Sequence, residues 1–253
     1  MTPRLLLAVA LATLAGCAGS PAAPPSPAPT DGPGLVAAMN ARYAGRWYRT
    51  LSFTQDTYWK TEDEPRTERW REWMALPGRL RIEMEDPLRG PDALYARDST
   101  FFYQDGALAG AEAARNRLLL LGFDVYTQAP TVTLRALQDE GIDLRAFRQD
   151  VWQGRPAYVL GTPATGEVWV EAERLLFVRL VEPGAFGTTV RDVRFLRYVP
   201  LGGGWIAPRV EVWTGGELVF WETYREIQAD VVIPAVLFEP RAWVDGVTAI
   251  RGQ

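Results

Sequence analysis

The chain has 253 residues, 47% of them hydrophobic, with 27 Lys and Arg against 31 Asp and Glu and no histidine. That size suits a sizeable globular core, and the acidic balance, with a pI near 5.1, offers nothing to attract nucleic acid. Without histidine there is no usual general base, no usual zinc ligand and no Ser-His or Cys-His pair, and the single cysteine, Cys17, allows no internal disulfide or iron–sulfur site.

In chain order, Arg4 precedes an apolar run from Leu5 to Leu14, which fits a signal-peptide core and is too short to span a bilayer. It ends in Leu14-Ala15-Gly16-Cys17, which resembles the bacterial lipobox. That resemblance implies removal of residues 1–16 and lipidation of the Cys17 thiol. Each buried methylene adds about 0.8 kcal/mol, so stable residence at a membrane needs more than one acyl chain. Residues 17–34 are rich in Pro, Ala, Ser and Gly and read as a disordered tether, leaving 35–253 as the folded domain.

Leu35, Val36, Met39 and Tyr43 share one side of a short helix ended by Gly45. From Trp47 to Trp59 the chain alternates, with Trp47, Leu51, Phe53 and Trp59 opposite Tyr48, Thr50, Ser52, Thr54 and Asp56. Trp70, Met74 and Leu76 oppose Arg71 and Trp73; Leu80, Ile82 and Met84 oppose Arg79, Arg81 and Glu83. Three antiparallel strands therefore share one apolar face. A rigid loop with Pro87 and Pro91 surrounds Leu88, and residues 93–96 and 99–104 form two strands about the Arg97-Asp98 turn.

Asn116 caps a helix carrying Leu118 to Leu121, and Thr131 to Glu140 is a second helix stopped by Gly141. Interrupting a strand series, these helices are expected to cover its concave face. The second half is again β, with short strands between Gly-rich turns up to Ile227, then a turn at Leu237-Phe238-Glu239-Pro240 and a last edge strand at Trp243-Val244. Roughly eleven strands make this a mainly β (α+β) chain with one meandering antiparallel sheet.

For chemistry, the acidic clusters Glu62-Asp63-Glu64, Glu83/Glu85/Asp86 and Asp139-Glu140 fall in turns and at element ends, where solvated acids belong, which makes a carboxylate-dependent hydrolase the weakest reading. There is no GxSxG elbow, no P-loop and no GxGxxG before a helix, and Gly202-Gly203-Gly204 precedes a strand. No catalytic residue, metal or cofactor is implied. Ten tryptophans, nearly all in strand segments, either pack an ordinary core or together line a wide apolar interior of the kind lipids occupy.

Several motifs, in order, resemble the LolA/LolB family of bacterial lipoprotein carriers. They are a helix before a strand with Phe53-x-Gln55, the strand Pro77-Gly78-Arg79-Leu80-Arg81-Ile82, the turn and aromatic strand Asp98-Ser-Thr-Phe-Phe-Tyr103, Val168-Trp169-Val170-Glu171, and Leu237-Phe238-Glu239-Pro240. The resemblance implies an unclosed antiparallel half-barrel, with helices as a lid over an apolar cavity that receives acyl chains of lipoproteins or other lipids. Face alternation assigns Trp47, Leu51, Phe53, Trp59, Met74, Leu80, Ile82 and Phe101 to the cavity wall.

Two departures matter. Leu76 stands where soluble carriers place the basic residue that ties down the lid, and Cys17 makes this chain more similar to the membrane-bound acceptor, whose protruding apolar loop residue Leu88 would match as a membrane contact. The expectation is a non-enzymatic, lipid-anchored protein on the periplasmic face of the outer membrane. Its partners would be lipoprotein acyl chains or phospholipid and a soluble periplasmic carrier. A lipid-sensing or structural envelope lipoprotein without transfer activity is the alternative.

Overall fold

The computed structural model describes residues 27–84, 86–184 and 190–252. Cys17, the signal segment and most of the expected tether lie outside the described residues. Helix α1 (Gly32–Tyr43) begins within the stretch read as tether, because the Asp31 carboxylate accepts the Gly34 amide at 2.6 Å and Pro33 pre-sets the first turn. Its buried side is Leu35, Val36, Met39 and Tyr43, as their spacing predicts.

Six strands follow as a meander: β1 (Thr50–Trp59), β2 (Arg66–Ala75), β3 (Arg79–Met84), β4 (Pro91–Ala96), β5 (Ser99–Gln104) and β6 (Ala107–Glu112). Helices α2 (Arg117–Gly122) and α3 (Pro130–Asp139) come next, separated by a 3₁₀ turn, Asp124–Tyr126. The second meander comprises β7 (Phe147–Trp152), β8 (Arg155–Thr162), β9 (Gly166–Glu171), β10 (Leu176–Glu182) and β11 (Arg191–Leu196). A separate hairpin of β12 (Val199–Leu201) and β13 (Gly204–Ile206) precedes β14 (Arg209–Thr214) and β15 (Glu217–Ala229), and β15 pairs with β1.

The result is one 13-stranded antiparallel sheet in the order β6-β5-β4-β3-β2-β1-β15-β14-β11-β10-β9-β8-β7. The sheet is two strands wider than the alternation suggests, since β6 (ALAGAE) and β7 (FRQDVW) are mostly exposed and show no apolar face. These are the two edges. They do not pair, so the half-barrel is unclosed, and the segment joining them is the one that carries α2 and α3.

That connection crosses the inner face, where α1, α2, α3 and the 3₁₀ turn pack on the strands. Asn116 Oδ1 caps α2 by accepting the Leu118 and Leu119 amides at 2.9 and 3.0 Å. Helix α3 lacks a side-chain cap, and its Val132 is exposed; Thr133, Ala136 and Leu137 are the buried side. Tyr126 anchors the lid: its hydroxyl accepts the Phe177 amide at 2.8 Å and its ring stacks on Trp47 at 4.0 Å.

The tryptophans divide between the faces instead of filling the inner one. Trp47, Trp59 and Trp70 belong to the inner core. On the outer face Trp152, Trp169, Trp213 and Trp221 alternate with arginines, Arg179 lying 4.9 Å from the Trp152 ring, Arg194 4.4 Å from Trp213 and Arg209 4.7 Å from Trp221. Acids hold those guanidinium groups in turn, as in Arg179–Asp192 at 2.8 Å and Arg209–Glu211 at 3.1 Å. Each ring shields part of the outer sheet while a cation caps its face.

The tail is also helical, not a last strand. After a 3₁₀ turn (Ala235–Phe238), α4 (Trp243–Arg251) sets Trp243, Val247 and Ile250 at helical spacing against the outer side of β3 and β4. It buries Arg81 completely: Nε donates to Glu83 at 2.8 Å, Nη1 to the Leu237 carbonyl at 3.3 Å, Nη2 to the Trp243 carbonyl at 3.2 Å, with the guanidinium 3.5 Å from the Trp243 ring. Gly246 lies over this cation, where a Cβ would come within 2.5 Å of Nη1. Removing one partner of a buried pair strands the other charge, whereas replacing both with apolar groups does not. Arg81→Ala is therefore expected to lower the urea-unfolding free energy by about 3–5 kcal/mol, and the double variant Arg81→Met/Glu83→Met to recover most of it.

Candidate functional site

The inner face of β1, β2 and β3 reads in rows fixed by the register. Met74 pairs with Leu51 and Leu80 in one row, and Glu72 with Phe53 and Ile82 in the next. Trp70 pairs with Gln55 and Met84, Gln55 also with Tyr224 of β15, and beyond them Thr57 faces Glu222 and Trp59 faces Phe220. Seven of the eight residues assigned to the cavity wall, Trp47, Leu51, Phe53, Trp59, Met74, Leu80 and Ile82, lie in this one inner cluster.

Phe101 does not join them. With Tyr103 it faces outward, into the second cluster beneath α4, and it is Thr100 and Phe102 that face inward. The alternation of Ser-Thr-Phe-Phe-Tyr-Gln carries no information on face, because both parities hold an aromatic ring. Leu88 is likewise half-buried in the second cluster, close to Gly106 and to the helix that begins at Trp243, whose indole donates to the Pro87 carbonyl at 3.0 Å. It packs against the protein and does not protrude.

Around Leu51, Met74 and Leu80 the wall is closed by the lid helices, and side chains fill the space. Coverage thins elsewhere: Trp59, Met84, Tyr95 and Phe220 are only partly buried, and Phe102 is 40% exposed. A lipid chain entering this face must displace lid side chains from the sheet.

Period two also places polar residues on this face. Gln55 and Thr57 lie between Phe53 and Trp59, and Glu72 lies between Trp70 and Met74; all three are buried. Glu222 accepts the Tyr224 hydroxyl at 2.8 Å. Desolvation raises the Glu72 carboxyl well above the usual range, with a further push from Glu222, and desolvation takes Glu222 itself to about 7.

At the opposite end of the strands, a cleft of about 1050 Å³ separates α3 from the β2–β3 and β4–β5 turns, lined by Pro77, Gly78, Arg79, Arg97, Arg115, Asp124 and Arg135 among others. Here the lid is tied to the rim. Asp124 Oδ1 accepts the Gly78 amide at 2.9 Å, Arg115 pairs with Asp98, and Arg117 of α2 reaches Glu182 of β10 at 2.7 Å and also pairs with Glu140. Leu76 is buried, so the latch uses a lid carboxylate on a rim amide instead of a rim base on the lid. Among the described residues no cluster of Cys, Asp or Glu could hold a metal ion.

No family profile and no curated protein sequence matches the chain. Solved structures do. A DUF1329 family protein from Desulfovibrio piger superposes with a TM-score of 0.59 at 14% identity, covering 83% of this chain and 97% of that one. A domain described as an outer membrane lipoprotein-sorting protein from Vibrio parahaemolyticus gives 0.58 at 13% identity over 83% and 96%. A LolA superfamily protein from Nitrosomonas europaea gives 0.53 at 11% identity over 81% and 97%. The fold is LolA-like. At such identities the likeness is one of architecture alone.

The latch has a pH signature. Desolvation lifts the Asp124 carboxyl to about 7, against the opposing effects of the Gly78 amide and Arg115. Below about 4 it is protonated folded and unfolded alike; between there and 7 only the unfolded chain gives up the proton, so the folded state loses stability as pH rises through this window. Asp124→Asn keeps the acceptor without the charge, and its gain in unfolding free energy over the native chain is expected to be larger at pH 8 than at pH 5. Asp124→Ala, which leaves the Gly78 amide unpaired, is expected to lose about 1–3 kcal/mol at pH 5 and less at pH 8, because it too removes the titrating group.

Proposed function

We propose that this chain is a lipid-anchored protein of the bacterial envelope that binds acyl chains of lipoproteins or lipids between its sheet and its lid, for sorting or transfer to the outer membrane. The observation that carries the proposal is the construction of the inner face: a broad apolar wall capped by helices that are fastened at the rim by hydrogen bonds and ion pairs. Apolar packing of a lid on such a wall is non-directional, so an acyl chain can replace the lid side chains with little net change in buried apolar area. The polar fastenings then set how far the lid opens.

Two of the structurally similar proteins bear lipoprotein-sorting or LolA-superfamily names, which agrees with this reading. No covalent step is required. A ligand moves according to its differential affinity for donor, cavity and bilayer, with a soluble periplasmic carrier as a fitting donor. Cys17 at the end of the apolar leader supplies the anchor, and the Pro-rich stretch after it sets the stand-off from the membrane.

Purified from a bacterial host, the full chain is expected to carry phospholipid or acylated peptide in native mass spectrometry. Met74→Trp, which adds bulk to the wall, is expected to reduce that occupancy several-fold without unfolding the protein. A Cys17→Ser chain is expected to lose its acyl mass and leave the membrane fraction. An empty native protein would count against the proposal.

A further inference from the structure

The inner face of β1, β2 and β15 gathers acceptors without matching donors. Glu72 is 4% exposed and has neither a hydrogen bond nor an ion pair among the described residues. Gln55 is fully buried; its Nε2 donates to Thr57 Oγ1 at 2.8 Å, while its Oε1 meets no donor. The register carries the Gln55 amide beside Tyr224, whose hydroxyl is bonded to Glu222. The three acceptor groups thus share one wall, where the Tyr224 hydroxyl and the Gln55 side chain serve Glu222 and no donor serves Glu72.

Aromatic rings border them. Phe53 stacks on Tyr224 at 4.2 Å, and Trp59 lies 6.0 Å from Trp70. Carboxylates flanked by ring faces in a low-dielectric setting suit a small cation, and an uncompensated buried acid is costly unless something pairs with it. Outer-face acids such as Asp192 and Glu211 are matched to arginines; these two are not.

We propose that Glu72, Glu222 and Gln55 form a subsite for the primary ammonium group of an acyl-bearing ligand. The inference rests on the reading of the inner face as an acyl-chain site and adds the polar group that the site selects. An alkylammonium offers three N–H donors, one for each carboxylate and one for the Gln55 carbonyl oxygen. Its hydrocarbon lies along the apolar wall formed by Phe53, Met74 and Ile82. Burial raises both carboxyls and Glu222 pushes Glu72 further, so a bound cation relieves a cost already present. Two sources share this chemistry, an aminolipid headgroup and the free amino terminus of a lipidated peptide.

The test is displacement of an uncharged fluorescent acyl probe from the purified full chain by dodecylamine and by dodecanol at pH 7. Dodecylamine is expected to compete at a concentration at least about tenfold lower, which corresponds to about 1.4 kcal/mol. Glu72→Gln and Glu222→Gln are each expected to reduce that preference, and the double variant to abolish it with dodecanol unchanged. Dodecyltrimethylammonium, which has no N–H, is expected to lose most of the preference in the native chain, a readout that needs no variant to fold. Equal competition by amine and alcohol, or a preference that survives the double variant, overturns the ammonium subsite and leaves acyl binding standing. Failure of every long-chain probe overturns both. Phosphatidylethanolamine against phosphatidylglycerol, and a diacylglyceryl-cysteinyl peptide against its N-acetyl form, then separate the two sources.

Discussion

The structure depends on one topological constraint: the edges β6 and β7 do not pair. A sheet whose first and last strands close on each other hides its interior, but here the chain joins β1 to β15 in the middle and leaves two rims apart. An open sheet with an apolar inner face must cover that face with something other than strands. The chain uses its own crossing between the rims, so the cover and the connection are the same 34-residue stretch, residues 113–146. A lid built this way is tethered at both ends and can lift without leaving.

The two faces then solve different problems. Inside, burial is mostly apolar and non-directional, with Leu51, Met74, Leu80 and the lid leucines in contact. Outside, ordinary alternation would leave polar side chains in water, yet α4 covers part of the face and arginine–tryptophan stacks cover another. Outer charges such as Arg81 with Glu83 and Arg179 with Asp192 are paired. The inner polar groups, Glu72 and Gln55 above all, are not. Unpaired polar groups within an apolar interior are where a ligand's own polar atoms fit best.

Much of the architecture was legible in the sequence. Strict alternation in Thr50–Trp59 and Arg79–Met84 fixed which side chains face inward, and Asn116 announced the α2 cap. What escaped notice had physical reasons. Strand β6 is made of small residues with no apolar period, and β5 has aromatic residues on both sides, so Phe101 could not be assigned a face by alternation. Trp243-Val244 read as a strand because two apolar residues precede an Asp-Gly pair; Gly246 instead lies close over Arg81, and the helix continues through it. Glu72 and Gln55 obeyed the period but not the expectation that the inward face is apolar. The polarity of the lid latch, a carboxylate meeting the Gly78 amide, is a tertiary fact that neither Asp124 nor Leu76 discloses alone.

The central claim is that acyl chains lie against the inner wall beneath the lid. Placing a photoactivatable benzoylphenylalanine at Ile82, and in a second protein at the outward-facing Phe101, and irradiating each with a radiolabelled fatty acid tests it most directly. The account predicts label at position 82 and little at position 101. Equal labelling at both positions, or none at 82 in a folded protein, would contradict it.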